Sequence, residues 1–174
     1  MRIAVGVVGL AAVAVSVWRL GGTWGMVPFV LLAAVGAVLA GIDLTTRRLP
    51  NRIVLPAIGA SIALLLGSAL LDRQFERWSH ALVGGAALFA LYLVLALVSP
   101  QGMGMGDVKL AALVGLFGGY LGLEGWITGA FAGFMLGAIV ALVSIVLRRS
   151  GLKTHLPFGP WMLAGVYVAL VVSR

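Results

Sequence analysis

A chain of 174 residues that is 62% hydrophobic and only 10% charged, with a mean hydropathy of +1.16, has lipid rather than water as the solvent for most of its length. Its net charge of +7 sits in loops between apolar runs rather than in a stripe interleaved with aromatics, so topology and anionic headgroups explain it and nucleic acid does not. The absence of cysteine excludes disulfides and thiolate zinc sites, and no metal or cofactor is expected.

Seven apolar runs follow one another at 3–18, 24–42, 53–71, 81–98, 108–123, 126–147 and 156–172. Most approach the roughly 20 residues that cross a bilayer. They predict an all-α polytopic membrane protein of six to seven transmembrane helices, forming one membrane-embedded domain over 1–174. Residues 1–22 are an extra N-terminal span and 24–172 the core. The first run follows Arg2 and resembles a signal segment, but no small-residue cleavage site precedes Trp18 and Arg19, so a retained span is preferred.

The second run ends in GIDLTTRRLPN, which sets Asp43 at the membrane boundary ahead of Arg47 and Arg48. An ion pair with those arginines is the bland reading of Asp43. Pro50 and Asn51 close the segment, so 43–52 should be a compact turn that holds the acid at the surface. The outer loop 72–80 offsets Arg73 and Arg77 with Asp72 and Glu76.

Before the fifth run stands GMGMGDVKL, with Gly102, Gly104 and Gly106 alternating up to Asp107. Two readings stay open here. Glycines outside a helix free the backbone for positive φ and clear room for an extended peptide beside the carboxylate. Alternatively, a flexible loop ends in an Asp at a helix start. Lys109 should point away from Asp107, either snorkelling to lipid phosphate or reaching a substrate or carboxylate.

In the sixth run Gly125, Gly129, Gly133 and Gly137 recur every fourth residue, a small-residue face for close helix packing. A contact within the chain is preferred, with a homodimer through the same face as the lesser alternative. Gly115, Gly118, Gly119 and Gly122 imply similar crowding in the fifth run. The prolines of LPFGP at 156–160, Pro157 among them with Gly159, interrupt the start of the last helix; a peptide groove and a structural kink are equally open. His155 reads as a solvated loop residue, and His80 and Glu124 as bystanders on the outer side.

Alternating sides from a cytoplasmic N-terminus puts Arg2, Arg47, Arg48, Arg52, Lys109, Arg148, Arg149 and Lys153 inside, against Arg19, Arg73, Arg77 and Arg174 outside. That bias supports N-terminus in and C-terminus out of a cell membrane. Asp43 then ends an inward span and Asp107 begins an outward one, so both carboxylates lie at the cytoplasmic edge. Ionisable groups at such positions are costly and mark functional sites by default.

Taken together, Asp43 in IDLTTRRLPN, Gly104-Met105-Gly106-Asp107 in GMGMGDVKL, and LPFGP in that order resemble the type IV prepilin peptidase family, membrane aspartic proteases of the GxGD type. The resemblance implies that Asp43 and Asp107 are catalytic, and that the substrate is a prepilin-like protein with a short basic leader and an apolar helix after the cut. It implies cleavage on the cytoplasmic face and a short, peptidase-only member such as those serving Flp/Tad-type pili. Many relatives carry a large cytoplasmic loop with paired cysteines and methylate the new N-terminus; this chain has neither that loop nor any cysteine, so methylation is expected to be absent. Substrate binding is expected through its apolar helix, packed beside the glycine-rich spans. Two other classes fit less well: a proton-coupled transporter or channel using Asp43 and Asp107 as relay groups, and a catalytically silent assembly protein.

Overall fold

The computed structural model describes residues 2–46, 49–98, 104–147 and 157–173, with side chains from residue 5 onward except at 145. Gly102, Arg47, Arg48, Arg148, Arg149, Lys153, His155 and Arg174 lie outside the described residues. Seven helices stand among those described: α1 (Arg2–Leu20), α2 (Met26–Thr46), α3 (Asn51–Leu71), α4 (Phe75–Val98), α5 (Met105–Tyr120), α6 (Gly122–Val146) and α7 (Gly159–Val172). This is an all-α polytopic membrane fold. Among the described residues four helices are long and apolar enough to cross a bilayer, namely α2, α3, α4 and Gly122–Ser144 of α6, while Val5–Leu20 of α1 and Gly159–Val172 of α7 are shorter apolar stretches. Leu10, Leu97, Val98, Phe131 and Leu142 stand well exposed on their outer faces. Water would penalise such a surface, whereas hydrocarbon requires it.

The shortest way to describe the bundle is from α5. Val108, Leu110, Ala111 and the whole stretch Leu113–Tyr120 are buried, so α5 has no long lipid-facing side. A helix apolar all round belongs at the centre of a bundle. Its sixteen residues span about 24 Å at 1.5 Å each, less than a full bilayer crossing, and this is tolerated because α3, α4, α6 and α7 surround it. Phe29 of α2 meets Phe117 of α5 edge-on, their centroids 4.9 Å apart, near the end of the bundle opposite the two aspartates.

Glycine lets α4 and α5 come closest. A Cβ on Gly115 would lie 2.5 Å from the Gly84 carbonyl oxygen and 2.9 Å from the Gly85 Cα, and one on Gly119 would strike the His80 backbone. The glycine face of α6 is likewise used inside the chain: Gly133 lies against Met162, Gly137 against the Phe158 ring, and Gly129 against Gly165 and Ala169. A second copy of the chain would have to displace α7 to reach these three. Gly125 faces Leu121 and Gly118 instead.

Several boundaries differ from the apolar runs, among them the end of α2, at Thr46 rather than 42, and the start of α6, at Gly122 rather than 126. The fifth run ends at Tyr120 rather than 123, because Gly122 takes φ of +90° and turns the chain directly into α6. α4 starts at Phe75 rather than 81, with Glu76 in its favourable first turn and Phe75 packed on Trp78 at 5.3 Å. The outer loop therefore shrinks to Asp72–Gln74, where Arg73 adopts φ of 57° and the Gln74 N–H donates to the Ala69 carbonyl at 2.7 Å. The last helix begins at Gly159 and not at 156.

Candidate active site

Asp43 lies three residues before the end of α2 and is 4% exposed. A carboxylate in that position needs a partner, and α7 provides it. The Gly159 N–H donates to Asp43 Oδ2 at 3.0 Å. The N-cap residue of α7, Phe158, has no side-chain hydrogen bond to its helix, and Pro160 has no N–H, so Asp43 caps α7 from another helix. The same helix end directs its partial positive charge at the acid.

This geometry explains why residue 159 is glycine. A Cβ there would lie 2.9 Å from Asp43 Oδ2 and 3.2 Å from Leu110 Cδ2. LPFGP is thus more than a kink: it delivers a backbone N–H to one of the acids, with Pro157 half-buried just ahead. Leu110 links the second acid to the first, because it sits one turn beyond Asp107 on the same side of α5.

Asp107 occupies the first turn of α5, where its N–H donates to the Gly104 carbonyl at 3.0 Å. Gly104, beside the Asp107 carboxylate, is exposed, and a Cβ there would meet Asp107 Oδ2 at 3.5 Å, an ordinary contact. Gly104 is extended, with φ of −77°, and Gly106 is inside α5. Gly104 thus lies outside the helix as expected but does not use positive φ, and Gly106, expected outside the helix, is corrected to a helical position. Gly106 is small because Leu49 packs on it: a Cβ at 106 would be 3.0 Å from Leu49 Cβ.

The expected turn over 43–52 is corrected, because α2 continues through Asp43 to Thr46 and α3 opens at Asn51; Leu49, two residues before α3, rests on the helix start that carries Asp107. A second tie runs alongside, in which Lys109 Nζ donates to Asn51 Oδ1 at 2.8 Å. This bond is neither of the roles expected of Lys109: it holds the start of α5 to the first residue of α3. Pro50 supplies the extended residue before α3, with φ of −73° and ψ of 126°, and its carbonyl accepts from Ile53 and Val54.

The ends of α2, α3, α5 and α7 therefore converge, and they bring Asp43, Gly159, Leu110, Asp107, Gly106, Leu49, Asn51 and Lys109 to one end of the bundle. Sequence reasoning passed over two of the neighbours. Leu110 reads as one more core leucine. Tyr92 of α4 is a buried tyrosine within electrostatic reach of Asp107; its only signal is a polar tip in an otherwise apolar run. His80 and Glu124 lie at the starts of α4 and α6, away from this end. Among the described residues no group of three or more His, Cys, Asp or Glu stands together.

Residues 29–147, which carry both acids, match the Type IV leader peptidase family. The chain belongs to that family. It is 33% identical over 175 residues to the "Prepilin leader peptidase/N-methyltransferase" of Pseudomonas putida, covering 94% of this chain and 56% of that protein. Proteins of the same description in Stutzerimonas stutzeri and Bacillus subtilis are 29% and 28% identical over 155 and 151 residues. Those alignments cover 88% and 87% of this chain but 52% and 58% of the relatives, so the chain spans about half the length of the curated relatives it matches. No solved structure matches it.

Proposed function

We propose that this protein is a membrane-embedded aspartic endopeptidase that removes the leader of a type IV prepilin-like precursor, with Asp43 and Asp107 as its acid–base pair. The observation that carries the reading is the placement of Asp43 against the α7 N-terminus, at the bundle end where the first turn of α5 bears Asp107. Membership of a leader peptidase family supports the substrate class.

Peptide hydrolysis by two carboxylates needs one to take a proton from water and the other to give a proton to the leaving amine. Acids a few Å apart do this by sharing one proton, because both cannot easily ionise together. The attack adds the water oxygen to the scissile carbonyl carbon. Collapse then breaks the C–N bond, with the departing nitrogen protonated. In this arrangement the Gly159 N–H holds Asp43 in place, Leu110 and the half-buried surroundings limit water, and the open side of Gly104 admits the extended peptide. Pro50, Asn51 and Lys109 keep the α2–α3 turn in register with α5.

Sidedness follows from the Lys/Arg bias, which puts this end of the bundle in the cytoplasm, the N-terminus inside and the C-terminus outside. Flp/Tad-type pilins are the substrates we infer, and cleavage proceeds without methylation, in keeping with a chain that holds no cysteine. A proton relay would need ionisable groups near mid-membrane with access from both sides; Asp43 and Asp107 both lie near helix ends at one side. No observation favours a homodimer over the intramolecular use of the α6 glycines.

The test is cleavage of a leader-bearing prepilin by the purified protein in lipid vesicles, read by mass spectrometry with a methyl donor present. The wild type should yield the mature product without an added methyl group, and Asp43→Asn and Asp107→Asn should each lose at least about 10²–10⁴-fold in rate. Proton flux without any cleavage would favour the relay instead.

A further inference from the structure

An apolar groove of about 630 Å³ runs between α1, α2 and α7. Gly36 and Ala37 of α2 form part of its floor, Val8 and Ala164 stand on its two walls, and Leu44 and Pro160 form its mouth. The mouth residues are the immediate chain neighbours of Asp43 and Gly159, so the groove opens beside the candidate active site. At its other end Arg19 reaches from α1 to the carbonyls of Leu170 and Ser173, joining α1 to the end of α7 and closing the groove there. The one hydroxyl on its lining, that of Tyr167, is already committed to the Phe29 carbonyl at 2.9 Å.

The groove has the length of several helical turns. From Leu32 to Leu44 along α2 is about 18 Å at 1.5 Å per residue. Its volume over that length is too narrow for an entire helix, about 10 Å across, but it accepts the side chains along one face of a helix. Small residues on the floor allow close backbone approach, which is how helices associate in lipid. The glycine faces of α5 and α6 are covered by α4 and α7, so those faces are not open to a substrate helix.

We infer that this groove seats the apolar helix that follows the cleaved bond of the prepilin-like substrate. The inference rests on the peptidase reading above. A peptide cut between Asp43 and Asp107 leaves its downstream residues at Leu44 and Pro160, and a helix starting there runs away from the active-site end, along the groove toward Arg19. Recognition then divides in two, with the extended leader held near Gly104 and the apolar helix held by α1, α2 and α7.

The chain has no cysteine, which makes the test direct. Val8→Cys and Val168→Cys place thiols on the two walls, at residues 66% and 37% exposed, while Ile139→Cys places one on the outer side of α6. Each is combined in vesicles with a prepilin carrying one cysteine at successive positions of its helix, and disulfides are counted after oxidation. Crosslinks from Val8→Cys and Val168→Cys recurring every three to four substrate positions, and none from Ile139→Cys, are the expected result. In parallel, Ala164→Phe should raise KM for the membrane-borne prepilin about tenfold with kcat little changed, the scale set by overpacking a filled interface. Crosslinks at Ile139→Cys alone, or groove thiols modified only by acyl-chain probes while prepilin is cleaved, would overturn the inference and assign the groove to lipid. Failure of the wild type to cleave the same prepilin would defeat the peptidase reading itself, and this inference with it.

Discussion

At the scale of single residues, the acid at 43 is held by a backbone N–H, and this makes residue 159 more demanding than its place in a loop motif implies. Gly159→Ala adds a methyl 2.9 Å from Asp43 Oδ2 and 3.2 Å from Leu110 Cδ2, so either the carboxylate or α7 must move. A displacement near 1 Å at a catalytic group costs on the order of 10²-fold in rate. We expect kcat of Gly159→Ala to fall by about that factor with helical content by circular dichroism unchanged; activity near wild type would show that Asp43 does not depend on this contact. Asp43 and Asp107 are legible in the sequence because charges are scarce and lie at the ends of apolar runs. The Gly159 partner is not, because a main-chain donor leaves no side-chain signature. Gly106 was misread for a related reason: a glycine needed for space and one needed for positive φ look identical in sequence, and only Leu49 lying against it distinguishes them.

At the scale of elements, hydrophobic runs locate the helices well and their ends poorly. The break at Gly122 is hidden because apolar residues continue through it, and the start of α4 is hidden because Glu76 and Arg77 look like loop yet suit a first helical turn. Which helices pair is also partly hidden. The α6 glycine stripe announces a close contact, but only the structure shows α7 against it, and the Gly84–Gly85 pair that admits α5 passes unnoticed among alanines and leucines. The Gly165 contact gives a stability prediction. Its Cβ position falls 2.6 Å from the Gly133 nitrogen and against the Gly129 carbonyl, so Gly165→Val must separate α6 from α7. Overpacking of this kind costs about 1–3 kcal/mol, and the thermal midpoint in detergent should fall accordingly. An unchanged midpoint would mean that α6 and α7 do not meet through these glycines.

At the scale of the whole molecule, the bundle gathers both acids at one end and Arg19, Asp72 and Arg73 at the other. Our proposal, from the charge bias, places the acid end in the cytoplasm. In a chain without cysteine this is measurable: a thiol at Thr46→Cys should be labelled by an impermeant reagent only from the cytoplasmic side, and one at Arg73→Cys only from outside. The reverse pattern would invert the protein and separate its acids from a cytoplasmic leader. The polytopic helical fold was readable from composition and period, since lipid leaves few alternatives for such a chain. The groove beside α1 was not, because it is made by three helices that no local pattern pairs. The central claim is that Asp43 and Asp107 work as one pair, and a double-mutant cycle tests it most directly. Cleavage rates of Asp43→Asn, Asp107→Asn and the combined variant are compared in the same vesicles with the same prepilin. Residues that act as a unit lose as much singly as together, so all three rates should fall to one common floor. Losses that multiply, or one aspartate that can be replaced without loss, would contradict the account.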